Sequence, residues 1–223
     1  MNDRIVGAGF IYLKWIENAY VTFWIVHDFL CLAIQPSELV SVQSSNLKCM
    51  YFKEFSPENQ VSGRAILNAV NSLVEYKMTM AEYLTRSGLD NIEPDGWYDE
   101  QAWLDVLQAI SKQYGPSTIF TLGKGVGSNL PGTDPDFRNR LDSIDSLYKK
   151  SHINGEVGYF KLMEFDEKNK RARMKMHTPY PPEYGKGVLT AMVRKYKPDL
   201  LSFPKVEVET ITNEEAFYLV VSW

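Results

Sequence analysis

The feature that most constrains the fold is a change in the spacing of apolar residues near residue 150. Before this point, apolar side chains recur every three or four residues, the spacing that places them on one face of a helix. After it, they alternate with polar residues, which is the pattern of a strand with one buried face. A group of helices followed by a group of strands is typical of an α+β fold.

The C-terminal part is predicted to form two hairpins separated by a helix. Pro182 is expected to begin that helix, because proline is well tolerated at the first helical position. Arg173 and Lys175, on the polar face of one hairpin, are expected to lie opposite Glu207 and Glu209 of the other. We therefore expect a helical layer packed on one face of a C-terminal antiparallel sheet. Its strands are predicted at residues 157–165, 171–177, 205–209 and 216–223.

The preceding helices are marked by their apolar faces and their end signals. Thr79 and Glu82 have the spacing of a capping box, and Asp134 is expected to cap a helix that starts at Pro135. The glycine-rich residues 123–128 follow a helix and lack the spacing of a phosphate-binding loop, so they are interpreted as a flexible helix exit. The helical segments are predicted at residues 63–76, 79–88, 103–114, 117–124 and 135–150.

The N-terminal part has a different character, so two regions are predicted: residues 1–61, an apolar helix and connector, and residues 62–223, an α+β ligand-binding domain. Residues 10–34 are apolar and aromatic, but charged residues interrupt them, leaving too few uninterrupted apolar residues for a spanning helix. A buried helix or one that forms a homodimer is the favoured interpretation. A helix lying on a membrane surface is the less favoured alternative.

Composition excludes several classes of partner and site. A net charge of −4 gives no electrostatic reason to expect nucleic acid. Cys31 and Cys49 are too few for a disulfide scaffold, and the N-terminus lacks the order of a secretory signal, so a cytoplasmic protein is expected. His27 and Cys31 are four residues apart, but two ligands do not make a zinc site. No metal site and no catalytic residue is predicted.

The remaining histidines and the aromatic residues are candidate site residues. His152 follows a helix end, where a protonated imidazole is expected to act as a cap, and His177 is expected to face solvent or a carboxylate. Tyrosine can line an apolar pocket while its hydroxyl contacts a polar part of the ligand. The predicted ligand-binding residues are Trp97, Tyr98, Tyr148, Tyr159, Tyr180 and Tyr184.

Residues 62–223 resemble the superfamily of haem-NO-binding domains, vinyl-reductase-type ligand-binding domains and transport-particle subunits. The resemblance rests on residues 143–148, the strand start at 155–159 and the elbow at 178–187, which are similar to bacterial members of the vinyl-reductase type. It implies a cavity between helices and sheet that holds a small apolar molecule or a pigment. It also implies a role as a sensor or an assembly module.

Two departures from the family limit the cofactor prediction. The haem-binding branch uses a proximal histidine and a Tyr-x-Ser-x-Arg element, and this chain has no such element, which argues against haem. Many vinyl-reductase-type relatives place two cysteines ahead of the final strand, and residues 205–223 have none. The cofactor is thus left unknown.

Three functions are compatible with these observations. The leading hypothesis is a non-catalytic small-molecule-binding or sensor domain that holds an apolar or pigment-like ligand. The alternative is a protein-assembly module that dimerises through its N-terminal helices. A reductase or lyase acting on a pigment-like substrate ranks third, and it would need an external electron donor because the chain has no dinucleotide-binding fingerprint.

Overall fold

The computed structural model describes residues 51–73, 77–132, 134–197, 203–212 and 214–223. The apolar segment at residues 10–34 lies outside these ranges, together with His27, Cys31 and Cys49. The predicted N-terminal helix and its role in dimerisation therefore stay predictions. The division of the chain at residue 61 also stays a prediction.

Six helices are present in the described residues. The three before residue 115 are α1 (Gly63–Val70), α2 (Lys77–Arg86) and α3 (Glu100–Tyr114), and the three after it are α4 (Pro116–Ser128), α5 (Phe137–Lys150) and α6 (Pro182–Tyr196). Helix α6 begins at Pro182, as predicted, whereas α2 begins before Thr79 and α5 is capped by Asp136 instead of Asp134. None of these helices is long and apolar enough to span a membrane.

The predicted C-terminal sheet is confirmed and consists of β4 (Tyr159–Asp166), β5 (Arg171–His177), β6 (Lys205–Thr210) and β7 (Phe217–Ser222). The strands lie in the order β4-β5-β7-β6, and all neighbours are antiparallel. The C-terminal strand β7 is therefore an inner strand, and β4 and β6 form the edges. Residues alternate between faces, so Met174, Met176 and Leu219 are fully buried under the helices.

Charged side chains cover the outer face of this sheet. Arg173 Nη2 donates to Glu209 Oε2 at 3.0 Å, reaching across the ring of Tyr218, which lies 3.6 Å from its guanidinium carbon. Lys175 instead pairs with Glu214. The expected pairing with β6 is therefore correct for Arg173, whose side chain reaches across β7, and wrong for Lys175, which pairs with Glu214 in the turn before β7.

A second, smaller sheet was not predicted. It has three strands in the order β2-β1-β3, where β1 is Gln60–Ser62, β2 is Trp97–Asp99 and β3 is His152–Ile153. Each strand has only two or three residues, too few to show an alternating pattern in the sequence. The sheet brings together the starts of α1 and α3 and the end of α5.

The close packing of α4 against α6 explains the glycine-rich sequence. A Cβ at Gly123 would lie 2.1 Å from the carbonyl oxygen of Tyr184, and one at Gly127 would lie 2.2 Å from that of Val188. On the other side, a Cβ at Gly187 would lie 2.2 Å from the carbonyl oxygen of Phe120. The interpretation of residues 123–128 as a flexible exit was wrong, because these glycines belong to a continuous helix whose backbone directly contacts its neighbour.

Candidate functional site

A cavity of about 400 Å³ lies among α1, α4, α5 and α6, next to the small sheet. Its volume is within the range of about 300–1,000 Å³ that small-molecule sites occupy. The walls are mostly apolar, and Phe160 of β4 closes one side. The apolar lining includes Ala65, Val126, Leu130, Ile144, Phe160 and Val188.

Polar side chains lie at two places around the cavity. Arg64, Asp95 and Lys150 line it at exposed positions, and Arg64 Nη2 lies 2.6 Å from Asp95 Oδ1. The inner wall is formed instead by the buried side chains of His152 and Tyr180. The cavity therefore has an apolar body, a charged outer rim and one buried polar wall.

His152 is the centre of the buried polar wall. Its Nδ1 lies 2.9 Å from the carbonyl oxygen of Tyr148, which can only accept, so we assign the proton to Nδ1. Nε2 then has a free lone pair, and the Tyr180 hydroxyl donates to it at 2.9 Å. Oε1 of Glu100 lies 3.3 Å from the same Nε2.

Glu100 lies behind His152 and is fully buried. Asn59 Nδ2 donates to its Oε2 at 2.9 Å, whereas Oε1 makes no well-formed hydrogen bond within the described residues. Burial raises the pKa of Glu100 to about 7, against the lowering effect of its contacts with Asn59 and Tyr180, and the nearby carboxylates of Glu54 and Asp99 raise the pKa further. Glu100 therefore carries a proton at slightly acidic pH.

Burial has the opposite effect on the histidine, because it also disfavours a charged imidazole. It lowers the pKa of His152 to about 4, although the hydrogen bond with the Tyr148 carbonyl acts in the other direction. The predicted positive charge on His152 is therefore wrong, whereas the predicted capping contact is present: the neutral imidazole donates to the Tyr148 carbonyl in the last turn of α5 and forms part of the cavity wall. Burial also raises the pKa of Tyr180 well above its ordinary value, so its hydroxyl keeps its proton.

Local sequence signals place these groups. Asp99 caps α3 by accepting from the backbone N–H of Ala102 at 2.6 Å, which fixes Glu100 as the first helical residue. The elbow before α6 places Tyr180 so that its ring stacks on that of Tyr184, with centroids 5.0 Å apart. Tyr148, on the last turn of α5, donates its hydroxyl to the carbonyl of Val157.

Four of the six predicted ligand-binding residues line the cavity: Trp97, Tyr148, Tyr180 and Tyr184. Tyr98 and Tyr159 are elsewhere. The Tyr98 hydroxyl accepts from the backbone N–H of Glu93 at 2.7 Å, and Tyr159 lies beside His177 on the large sheet. Whether any of the six contacts a ligand stays a prediction.

Sequence reasoning missed Glu100 and Asn59. A glutamate in the first turn of a helix is usually a solvated residue that interacts with the helix dipole, so its position gave no sign of burial. Asn59 lies in a segment that was interpreted as a connector. No group of three or more His, Cys, Asp or Glu side chains that could hold a metal ion occurs in the part of the chain that the structure describes.

No protein-family model matches the sequence, and no match to a curated protein was found. Solved structures do match. An H-NOX protein from S. oneidensis in the Fe(II)NO ligation state matches with a TM-score of 0.54 and 11% identity, over 72% of this chain and 98% of that chain. A double variant of Tt H-NOX matches with a TM-score of 0.51 and 14% identity, over 72% of this chain and 92% of that chain.

A third matching structure is of a protein whose description concerns haem: its haem redox potential is modulated through protein-induced porphyrin distortion. Its TM-score is 0.51 at 16% identity, over 72% of this chain and 97% of that chain. Likeness at these identities shows the fold alone. The chain thus has an H-NOX-like α+β fold, which confirms the predicted resemblance to the haem-NO-binding superfamily at the level of fold.

These neighbours also correct the cofactor prediction. The argument against haem rested on a missing Tyr-x-Ser-x-Arg element, and it was wrong, because the chain shares its fold with proteins described by their iron and haem. The donor groups around the cavity fit a haem in kind. His152 supplies an imidazole in the wall, whose Nε2 accepts from Tyr180, and the rim has the cations Arg64, paired with Asp95, and Lys150. The remaining lining is mostly apolar.

Proposed function

We propose that the chain is a non-catalytic small-molecule-binding or sensor domain whose ligand occupies the cavity among α1, α4, α5 and α6. The observation that carries the proposal is the cavity itself: about 400 Å³ of space with mostly apolar walls and one buried polar wall. Apolar surface around such a space favours an apolar ligand, because binding removes both surfaces from water.

The polar groups in and around the cavity indicate a binding site and not a defect in packing. Empty cavities in protein interiors are usually apolar throughout, whereas this one has His152 and Tyr180 in its wall. Arg140 also holds the loop after α4, which borders the cavity, because both of its terminal nitrogens donate to the carbonyl of Pro131 at 3.1 Å. This part of the cavity wall is therefore held in place by a polar contact outside the cavity.

Haem is one ligand that this proposal includes. His152 would hold it through its imidazole, and Arg64 and Lys150 would hold its carboxylates at the rim. Bound haem would supply an iron centre for a small gaseous ligand such as the NO named for the S. oneidensis protein. The Nε2 of His152 would then have to give up its hydrogen bond with Tyr180.

Purification followed by native mass spectrometry and an absorption spectrum tests the proposal. We expect a copurifying molecule or, from the emptied protein, uptake of an apolar fluorescent probe at one site per chain. A Soret band would identify the ligand as haem. A protein that retains no molecule and binds neither the probe nor added haem would contradict the proposal.

A matched pair of tryptophan variants locates the binding site. Ala65→Trp fills the cavity from α1, whereas Ala81→Trp adds the same side chain at an exposed position of α2. We expect the first variant to lose probe binding and the second to bind like the unchanged protein. Equal binding by both variants would place the probe outside the cavity.

A further inference from the structure

The buried polar wall contains two hydroxyl donors for a single acceptor. Oε2 of Glu100 accepts from Asn59, so the proton of the neutral carboxyl belongs on Oε1, 3.3 Å from Nε2 of His152. The Tyr180 hydroxyl lies 2.9 Å from the same nitrogen. Neutral imidazole has one lone pair in its plane at Nε2, so only one of the two hydroxyls can donate to it at a time.

This arrangement lets Tyr180 turn its hydroxyl without leaving a buried group unpaired. When the proton of Glu100 Oε1 occupies the lone pair of Nε2, the Tyr180 hydroxyl is free to donate to an acceptor in the cavity that it lines. Without that proton, both Nε2 and the Glu100 carboxylate attract the Tyr180 hydroxyl, and the same movement would leave Nε2 unpaired beside a buried carboxylate. An unpaired buried polar group is costly.

We infer that the cavity selects apolar molecules carrying an oxygen acceptor, such as a ring carbonyl, which accepts a hydrogen bond from Tyr180 while protonated Glu100 takes over the lone pair of His152. This inference rests on the proposed ligand-binding function of the cavity. Tyr180 contacts the ligand, and Glu100 acts through His152 as a positioning residue.

The surroundings of Glu100 make this selection dependent on pH. The segment before β1 contributes Glu54 and Asn59 and β2 contributes Asp99, and the two carboxylates raise the pKa of Glu100. Facing it from the other side are His152 of β3 and Tyr180 of the elbow. Burial, and to a smaller extent the acidic neighbours, holds the proton on the Glu100 carboxyl until the pH approaches 7. Above this pH Glu100 can no longer donate to His152 in place of Tyr180.

Two rigid probes of the same shape test the inference: fluorene, and fluorenone, in which a carbonyl replaces the methylene group. Their affinities are measured by calorimetry at about pH 5.5 and about pH 8.5, on either side of the pKa of Glu100. At the lower pH we expect fluorenone to bind roughly three- to tenfold more tightly than fluorene, the contribution of one hydrogen bond. At the higher pH this preference should disappear.

Two variants assign the effect to its residues. Tyr180→Phe should bind both probes equally at both pH values. Glu100→Gln should keep the preference for fluorenone at both pH values, because its amide donates like the neutral carboxyl and accepts from Asn59 but cannot ionise. Thermal melting of each variant shows whether it is folded.

The outcomes separate this inference from the proposed function. Equal binding of the two probes by the unchanged protein at both pH values would overturn the inference and leave the ligand-binding function standing. Binding of neither probe would overturn the inference, and the proposed function would fall with it only if the protein also retains no molecule and binds neither the fluorescent probe nor added haem. A preference for fluorenone that survives in Tyr180→Phe would also overturn the inference, since the carbonyl would then contact another group.

Discussion

The pair formed by Glu100 and His152 should be visible in the pH dependence of stability, and its two members should act in opposite directions. The pKa of Glu100 is raised from 4.5 to about 7 in the folded protein. Between these values the folded state keeps a proton that the unfolded chain releases, so this contribution to stability is lost as the pH rises. The pKa difference is about 2.5 pKa units, and each unit corresponds to about 1.36 kcal/mol, so the free energy of unfolding falls by about 3 kcal/mol. The loss is complete above pH 7.

His152 has the reverse effect. Its pKa is lowered from 6.5 to about 4, so between these values the unfolded chain binds a proton that the folded state excludes. Stability therefore rises with pH by a similar amount, about 3 kcal/mol, across this window. From pH 4.5 to 6.5 the two contributions nearly cancel in the unchanged protein, and removal of one partner exposes the other.

Urea unfolding at a series of pH values tests this with Glu100→Gln and His152→Gln. The free energy of unfolding of the unchanged protein minus that of Glu100→Gln should fall by about 3 kcal/mol between pH 4.5 and 7. The same difference for His152→Gln should rise by about 3 kcal/mol between pH 4 and 6.5. Glu167→Gln, at an exposed position, is the control and should stay within about 0.5 kcal/mol of the unchanged protein. Differences that stay constant with pH would refute the proton assignment.

Three further changes test the packing. Gly123→Ala should destabilise the protein by about 2 kcal/mol or more in urea unfolding, because the added Cβ meets the Tyr184 carbonyl. Replacing glycine by alanine within a helix usually stabilises, so a gain in stability would contradict the close contact between α4 and α6. Met174→Ala should cost about 2–5 kcal/mol in the same assay, and a cost under about 1 kcal/mol would contradict its full burial. Arg140→Met should release the Pro131 loop and speed probe dissociation several-fold in stopped-flow measurements, and an unchanged rate would show that this loop does not limit access.

Local periodicity carried much of the fold prediction. The alternation at residues 171–177 predicted β5 with its observed bounds, and Pro182 marked the start of α6. The position of β7 between β5 and β6 could not be predicted in this way, because pairing between hairpins depends on contacts far apart in the sequence. The prediction for residues 123–128 failed for a related reason. Their glycines are required because the backbone of α6, which is distant in the sequence, leaves no room for a Cβ.

The site was predicted only in part, because its chemistry depends on burial. Tyr148, Tyr180 and Tyr184 were chosen as aromatic residues near element ends, and they line the cavity. Nothing in the local sequence showed that Glu100 is excluded from water or that it lies beside His152. Both facts depend on the small sheet, whose strands are too short to be predicted from sequence.

The strand order of the large sheet has a consequence for synthesis of the protein. Among the strands of this sheet β7 is synthesised last, yet it lies between β5 and β6 and pairs with both along its length. Until it emerges, β6 has no partner in this sheet and β5 pairs only with β4. The helices can form during translation, but the sheet beneath them can be completed only when residues 217–222 are free, so a stalled chain would expose two unpaired strand edges to aggregation or to chaperones.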